Sequence, residues 1–301
     1  MNKRILIIYH KIDFDGLCSM SIIRRWAAEN GLETELLPYS YGDPDPVVVP
    51  TDYAFIYVAD VCLPTPLMLT LEESGRLVWL DHHNTSIEQS VRDGFNLCGG
   101  IRQEGTGACD LCWQYLYPDT PAPLAVSLLA TYDVWDKDRY DWETETLPFQ
   151  FGLRARYNLD PEAFYTYFTE AVEDPGRITP IIQEGRAIIR YARATGRRAC
   201  EAYAFEVTIG YGIKGLCMLT AHFGCLEMEE SMRERGCQVA VCVNLLQSGE
   251  YKVSVYAGGN LIGFNLGRYM KDHYQGGGHP CAAGGKLTPR QYKRLIEYKI
   301  L

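Results

Sequence analysis

Three short apolar runs early in the chain each stop on an acid or a histidine, and this punctuation narrows the fold sharply. Ile5-Leu6-Ile7-Ile8-Tyr9 leads into His10, Asp13 and Asp15; Ala54 to Ala59 leads into Asp60; Arg76 to Leu80 leads into Asp81, His82 and His83. An uninterrupted apolar run of about five residues reads as a strand buried on both faces. Between these runs lie helical patterns: Leu17 to Glu29, with Ile22, Ile23, Trp26 and Ala27 on its apolar side, and Pro64 to Ser74. Glu33 to Leu37 and Phe95 to Ile101 read as further strands, and Thr85 to Arg92 as a short helix. Strands alternating with helices predict an α/β fold, a mostly parallel sheet with helices on both faces. In such sheets ligands bind outside the carboxyl ends of the strands. His10, Asp13, Asp15, Asp60 and Asp81 all fall there, so the pattern converges on one crevice. A fourth acidic position, Asp133, follows the helical stretch from Pro121 to Tyr132, in addition to these three clusters.

From residue 134 to 200 the chain is helical and polar, and Ile181 to Ala194 is the longest helical pattern, with Thr195-Gly196 as its stop. After Cys200 the composition changes. Tyr203 to Tyr211, Gln238 to Leu246 and Tyr251 to Tyr256 read as strands and Leu261 to His273 as a helix; the glycine-rich Gln275 to Gly285 that follows stays open between a flexible loop and an anion-binding segment. The expected division is a metal-binding domain over 1–175, a helical connector over 176–200 and a smaller C-terminal α/β domain over 201–301.

Hydrophobic residues at 47% and charged residues at 22% are those of a folded, core-forming chain. The net charge of −9 argues against a long nucleic acid, whose binding depends on lysine and arginine neutralising phosphates. A short phosphorylated ligand stays open, because a bound metal supplies local positive charge. The 11 cysteines are scattered through apolar segments, and no run of signal-peptide or membrane-spanning length is seen. The expectation is a cytoplasmic protein with reduced, buried thiols and no membrane partner. Cys109 and Cys112 form a lone C-x-x-C, read as structural thiols rather than a zinc or redox pair.

Taken singly, Asp13 and Asp15 read as helix-capping residues, Asp60 as the cap of the next helix, Asp133 as an ion-pair partner, and His82 and His83 as surface histidines. Together they are a set of carboxylates and imidazoles suited to hard divalent cations such as manganese or magnesium. Two ions about 3.5–4 Å apart need a shared carboxylate, and Asp60, alone at its strand end, is placed to be it. His10, Asp13, Asp15, His82 and Asp133 would complete the two shells. The matching reaction is hydrolysis of a phosphoester or phosphoanhydride by activated water. Gly276, Gly277 and Gly278 lack side chains, so their N–H groups can approach an anion, and His279 beside them can donate to a phosphate oxygen. They read as a substrate-gripping element across an interdomain cleft.

The His10, Asp13 and Asp15 cluster, Asp60, Asp81-His82-His83 and Asp133, followed by Gly276-Gly277-Gly278-His279 with Ala282, Ala283 and Gly284, resemble the DHH/DHHA1 phosphoesterase superfamily over nearly the whole chain. The resemblance implies two manganese ions, with magnesium or cobalt as alternatives. His10 and Asp13 would hold one ion, Asp15, His82 and Asp133 the other, and Asp60 would lie between. Asp81 and His83, with His82, would form the catalytic group, and His279 with its glycines would hold the substrate. The spacing from His10 to Asp13 departs from the commoner forms of the family. Tyr256 stands where relatives often carry a substrate-gripping arginine, for which Arg268 and Lys271 are candidate replacements. The short bacterial branch implies a phosphodiesterase acting on short oligonucleotides or small nucleotides, with a homodimer among the open assemblies. A phosphoanhydride hydrolase and a non-catalytic nucleotide-binding protein are the competing expectations; aromatic side chains around the site would favour nucleobases, a dense cationic lining polyphosphate.

Overall fold

The computed structural model describes residues 3–220, 223–259, 261 and 263–301. The chain forms two compact units, Met1–Ala187 and Ile188–Leu301. The first contains β1 (Arg4–His10), α1 (Phe14–Glu29), β2 (Glu33–Tyr39), β3 (Phe55–Ala59), α2 (Thr65–Glu73), β4 (Leu77–Leu80), α3 (Asn84–Asp93), α4 (Ala108–Leu116), α5 (Leu124–Asp133), α6 (Leu147–Tyr157) and α7 (Pro161–Glu173). Helix α8 (Ile178–Tyr203) contributes its start to this unit and its remainder to the second.

The apolar runs form a parallel sheet in the order β2-β1-β3-β4. Side chains alternate across a strand, so each run feeds two cores. Ile5, Ile7, Tyr9, Tyr57 and Leu80 pack on one face with Leu17 of α1, Leu128 of α5 and Phe164 of α7. Leu6, Ile8, Ile56, Val58 and Trp79 pack on the other with Met68 and Leu71 of α2 and with Phe95. Each fully buried side chain of this size contributes about 1.5–3 kcal/mol, so the ends of β1, β3 and β4 rest on a rigid base.

Phe95 to Ile101, expected as a fifth strand, is irregular. It meets β4 through isolated bridges, Val78 with Gly99 and Asp81 with Arg102. Gly100 has φ +103° and lies so close to β4 that a Cβ would meet the Trp79 carbonyl oxygen at 2.1 Å. That left-handed residue ends the extended run, and Arg102 donates instead to the Gly99 and Cys98 carbonyls at 2.9 and 3.1 Å.

The second unit holds β5 (Phe205–Ile209), β6 (Ile213–Met218), α9 (Cys225–Glu234), β7 (Val239–Leu245), β8 (Tyr251–Ala257), α10 (Leu266–Tyr274), β9 (Gly277–His279), β10 (Ala282–Leu287) and α11 (Pro289–Tyr298). Its sheet runs β5-β6-β7-β8-β10-β9, antiparallel except between β6 and β7. Three expectations are corrected here. Thr195-Gly196 does not stop a helix: α8 continues to Tyr203, and Gly196 permits close packing, since a Cβ would lie 2.2 Å from the Glu227 carbonyl oxygen of α9. The helix expected from Leu261 starts at Leu266, because the Asn265 side chain accepts the Arg268 N–H at 2.9 Å and sets the cap (Ile262 lies outside the described residues). The glycine-rich segment is no open loop but the β9–β10 hairpin.

No helix among the described residues is long and apolar enough to cross a membrane. All the cysteines are free thiols. Cys109 and Cys112 are buried in α4, where burial pushes both thiols well above their usual pKa, and neither belongs to a group of metal-competent ligands among the described residues.

Candidate metal centre

The sheet order places β1 beside β3, with β2 added on one side and β4 on the other, so the carboxyl ends of β1 and β3 flank the point where growth reverses. His10 ends β1, and Asp60 follows β3 directly. Helix α1 starts immediately beneath His10; Gly16 permits this, since a Cβ there would meet the His10 carbonyl oxygen at 2.0 Å. Asp13 caps α1: its Oδ1 accepts the Gly16 N–H at 2.9 Å, while its Oδ2 lies 3.0 Å from His10 Nδ1. The cap and the candidate ligand are thus one carboxylate using its two oxygens differently.

Asp15 is buried in the first turn of α1, and its carboxylate sits on the start of α4. Oδ2 accepts from Ala108 N–H at 2.7 Å and Oδ1 from Cys109 N–H at 2.8 Å. The first N–H groups of a helix have no partner within it and carry its positive dipole end, so they suit a carboxylate. Gly107 brings α4 this close, since a Cβ there would lie 2.6 Å from Ala130 Cα and 3.2 Å from Asp15 Oδ1. Asp133, the last residue of α5, places Oδ2 3.2 Å from His82 Nε2.

Asp60 occupies the middle. It is buried, with φ +59°, a left-handed conformation that aspartate tolerates better than most residues at a cost of about 1–2 kcal/mol. Its Oδ1 lies 3.3 Å from His82 Nε2 and its Oδ2 3.6 Å from His10 Nδ1. Three groups of ligand atoms form, each with its members within 4.8 Å of one another: His10, Asp13 and Asp60; Asp15, His82 and Asp133; and Asp60, His82 and His83. Asp60 and His82 each belong to two of them.

Asp81 is fully buried, and its Oδ1 accepts from the His82 N–H at 2.8 Å, the His83 N–H at 3.2 Å and the His83 ring at Nδ1 at 2.7 Å. It orients both histidines and keeps His83 Nδ1 on a carboxylate, which fixes the ring tautomer.

The charges explain one another. Burial opposes a charged His10 ring, but Asp13 and Asp60 outweigh it and raise the pKa to about 10. His82 likewise rises to about 10 against burial, through Asp60, Asp133 and Asp15, and His83 to about 9, mainly through Asp81. Burial, reinforced by the charge of Asp60, lifts Asp15 to about 7. Burial, reinforced by Asp15, lifts Asp133 well above the carboxylate range. Asp60 goes the other way: His10 and His82 overcome its burial and hold its carboxyl below that range. Four carboxylates and two imidazoles therefore share too few protons to be at ease, which is the electrostatic condition a divalent cation relieves. His10 Nε2, Asp60 Oδ2 and Asp133 Oδ2 are buried without a hydrogen-bond partner, a costly arrangement that a bound cation would relieve. The donor set and these atoms fit hard divalent ions.

The candidate substrate residues lie in the second unit. A Cβ at Gly276 would sit 1.8 Å from the Gly284 oxygen, and one at Gly278 (φ +139°) 2.5 Å from the Ala282 oxygen, so both glycines serve the hairpin. Gly267 in α10 approaches the Gly278 oxygen equally closely. Gly277 borders open space, His279 is exposed, and Arg268 is exposed on α10 with its Nε 4.0 Å from Asp272. Sequence reasoning missed two contributors to the centre. The backbone of Ala108 and Cys109 carries no side-chain signal, although Thr106-Gly107 before an apolar helix marks the helix start. Tyr41, whose ring lies against His10 and His83, sits in a loop far from both in sequence.

No family model matches the chain, and no curated protein matches it. Solved structures do. The chain is similar to a pGpG-specific phosphodiesterase from Vibrio cholerae (12% identity, covering 98% of this chain and 97% of that one, TM-score 0.57). It is similar to an exopolyphosphatase-related protein from Bacteroides fragilis (12% identity, 99% and 91% covered, TM-score 0.55). It also matches Thermus thermophilus RecJ in complex with Mn2+ (15% identity, 99% of this chain but 52% of that one, TM-score 0.56). At these identities the likeness establishes a shared fold.

Proposed function

We infer from the DHH-superfamily fold of this chain that it is a metal-dependent phosphoesterase, hydrolysing phosphodiester bonds in short oligonucleotides or small nucleotides. The observation that carries this reading is the position of Asp60, a buried carboxylate whose two oxygens face histidines on opposite sides, His10 and His82. In the proposed arrangement His10 and Asp13 would hold one ion and Asp15, His82 and Asp133 the other, with Asp60 shared between them; manganese is the proposed ion and magnesium the alternative, since RecJ structures are solved with each. Such a pair, when bound, lowers the pKa of water to near neutrality and neutralises phosphate charge.

The remaining residues have roles of their own. Asp15 is held by two backbone N–H groups, which fix its carboxylate and limit its movement. Asp81 holds Nδ1 of His83, which leaves Nε2 as the atom able to meet substrate. His83, with Nδ1 on Asp81, is proposed to donate from Nε2 to a phosphate oxygen or to the leaving oxygen. Gly277, His279 and Arg268 of the second unit are proposed as substrate-binding residues.

A phosphoanhydride hydrolase is the second reading, favoured by the likeness to the exopolyphosphatase-related protein. Against it, cations near the centre are already engaged: Lys11 pairs with Asp43 at 2.6 Å and Arg139 with Asp110 at 2.8 Å. The test is hydrolysis with added Mn2+ of a dinucleotide, a five-residue RNA, a cyclic dinucleotide, pyrophosphate and polyphosphate. Mononucleotide release is expected. Phosphate release from the inorganic substrates alone supports the second reading, and no turnover of any substrate, with Mn2+ bound, rejects both.

A further inference from the structure

We propose that Tyr41 is a stacking platform for a nucleobase of the substrate, and so the residue by which this centre prefers nucleosidic over inorganic phosphates; this rests on the phosphoesterase reading. The ring centroid of Tyr41 lies 6.0 Å from that of His10 and 6.5 Å from that of His83, at interplanar angles of 64° and 78°. Both are edge contacts, so one tyrosine leans on histidines from two separate strand ends. Its hydroxyl accepts the Cys62 N–H at 3.1 Å. The loop behind it is fixed as well, since Asp43 accepts the Ser40 N–H at 2.8 Å and pairs with Lys11. Yet Tyr41 is 54% exposed, high for an aromatic side chain anchored at its tip beside buried histidines.

The other aromatic group close to a candidate ligand does not offer such a surface. Tyr132, Trp135 and Trp142, near Asp133, pack on one another, with Tyr132 and Trp142 only 3° from parallel, and Lys137 lies 5.3 Å over both tryptophan rings. A preordered, half-exposed ring in edge contact with two histidines of the candidate metal centre matches what stacking requires. It loses little freedom when a base lands on it, and any base offers a π face, so the platform would select for a nucleobase without selecting which one.

The test combines a binding readout with a kinetic one, on the full chain with Mn2+. The probe is a dinucleotide carrying 2-aminopurine, whose fluorescence falls on stacking; a companion substrate has an abasic ribose in its place. Wild type and Tyr41→Phe, which keeps the ring, are expected to quench the probe; Tyr41→Leu is expected to lose the quench and to lower kcat/KM for the dinucleotide about tenfold relative to the abasic substrate. Mn2+ titration of each variant verifies that the centre is intact. Undiminished quenching in Tyr41→Leu overturns the proposal, as does an equal loss on both substrates, which would make Tyr41 a support for the metal ligands. Quenching by wild type that needs Tyr41, without hydrolysis of any substrate, sustains the platform and rejects the phosphoesterase reading; hydrolysis without quenching does the reverse.

Discussion

Asp81 is proposed to act on the centre through the histidines rather than as a ligand. One oxygen takes three hydrogen bonds, from two backbone N–H groups and the His83 ring. Asp81→Asn keeps the shape but removes the charge, so the amide can offer its N–H group where His83 presents its own. Activity is expected to fall about 10–100-fold with Mn2+ content retained, as read by steady-state kinetics beside metal analysis. Loss of the metal would instead make Asp81 a ligand. The protons at the centre give a second prediction. His10 and His82, with pKa values near 10 in the metal-free chain, must lose their protons to bind an ion. Protons and metal therefore compete, and affinity for Mn2+ should rise with pH. Titrations at pH 6, 7 and 8 should show about a tenfold gain per unit for each proton released; a flat profile would mean that these rings are not ligands. The candidate ligands were legible in sequence because acids and histidines at strand ends are conspicuous. Tyr41 was not, because its meaning lies in contact with residues brought to it by the loop and the sheet.

At the scale of elements, β1, β3 and β4 were readable because they are buried on both faces and leave an unbroken apolar signal. Phe95 to Ile101 is apolar at Phe95, Leu97, Cys98 and Ile101, but Gly100 takes a left-handed turn against Trp79 and no strand forms. The error at Gln275 to Gly285 ran the other way. Glycine-rich sequence reads as loop, yet the hairpin needs glycine so that β9, β10 and α10 can approach within backbone contact. Strand β6 was hidden by Lys214 and Gly215, which break its apolar pattern. Gly276→Ala tests the packing role. With a Cβ 1.8 Å from the Gly284 oxygen, the hairpin must shift, at a cost of about 1–3 kcal/mol in denaturant unfolding of the second unit. Mn2+ affinity should stay unchanged, because the candidate ligands all belong to the first unit. Unchanged stability would show that the glycine is kept for another reason, such as contact with an anion.

For the whole molecule the balance of charge sets the range of substrates. At −9 the chain repels a long polyanion, while a paired metal centre attracts a single phosphate. Hydrolysis should therefore favour RNA of two to five residues over a thirty-residue strand of the same composition, with a shallow dependence on salt. A steep loss of activity with salt on the long strand would reveal an extended basic track. The most direct test of the metal centre itself is electron paramagnetic resonance of the chain titrated with Mn2+. Two ions per chain with an exchange-coupled spectrum, collapsing to the six-line signal of isolated ions in Asp60→Asn, is the outcome expected of a carboxylate-bridged pair about 3.5–4 Å apart. One ion per chain, or two that remain uncoupled in the wild type, would contradict it.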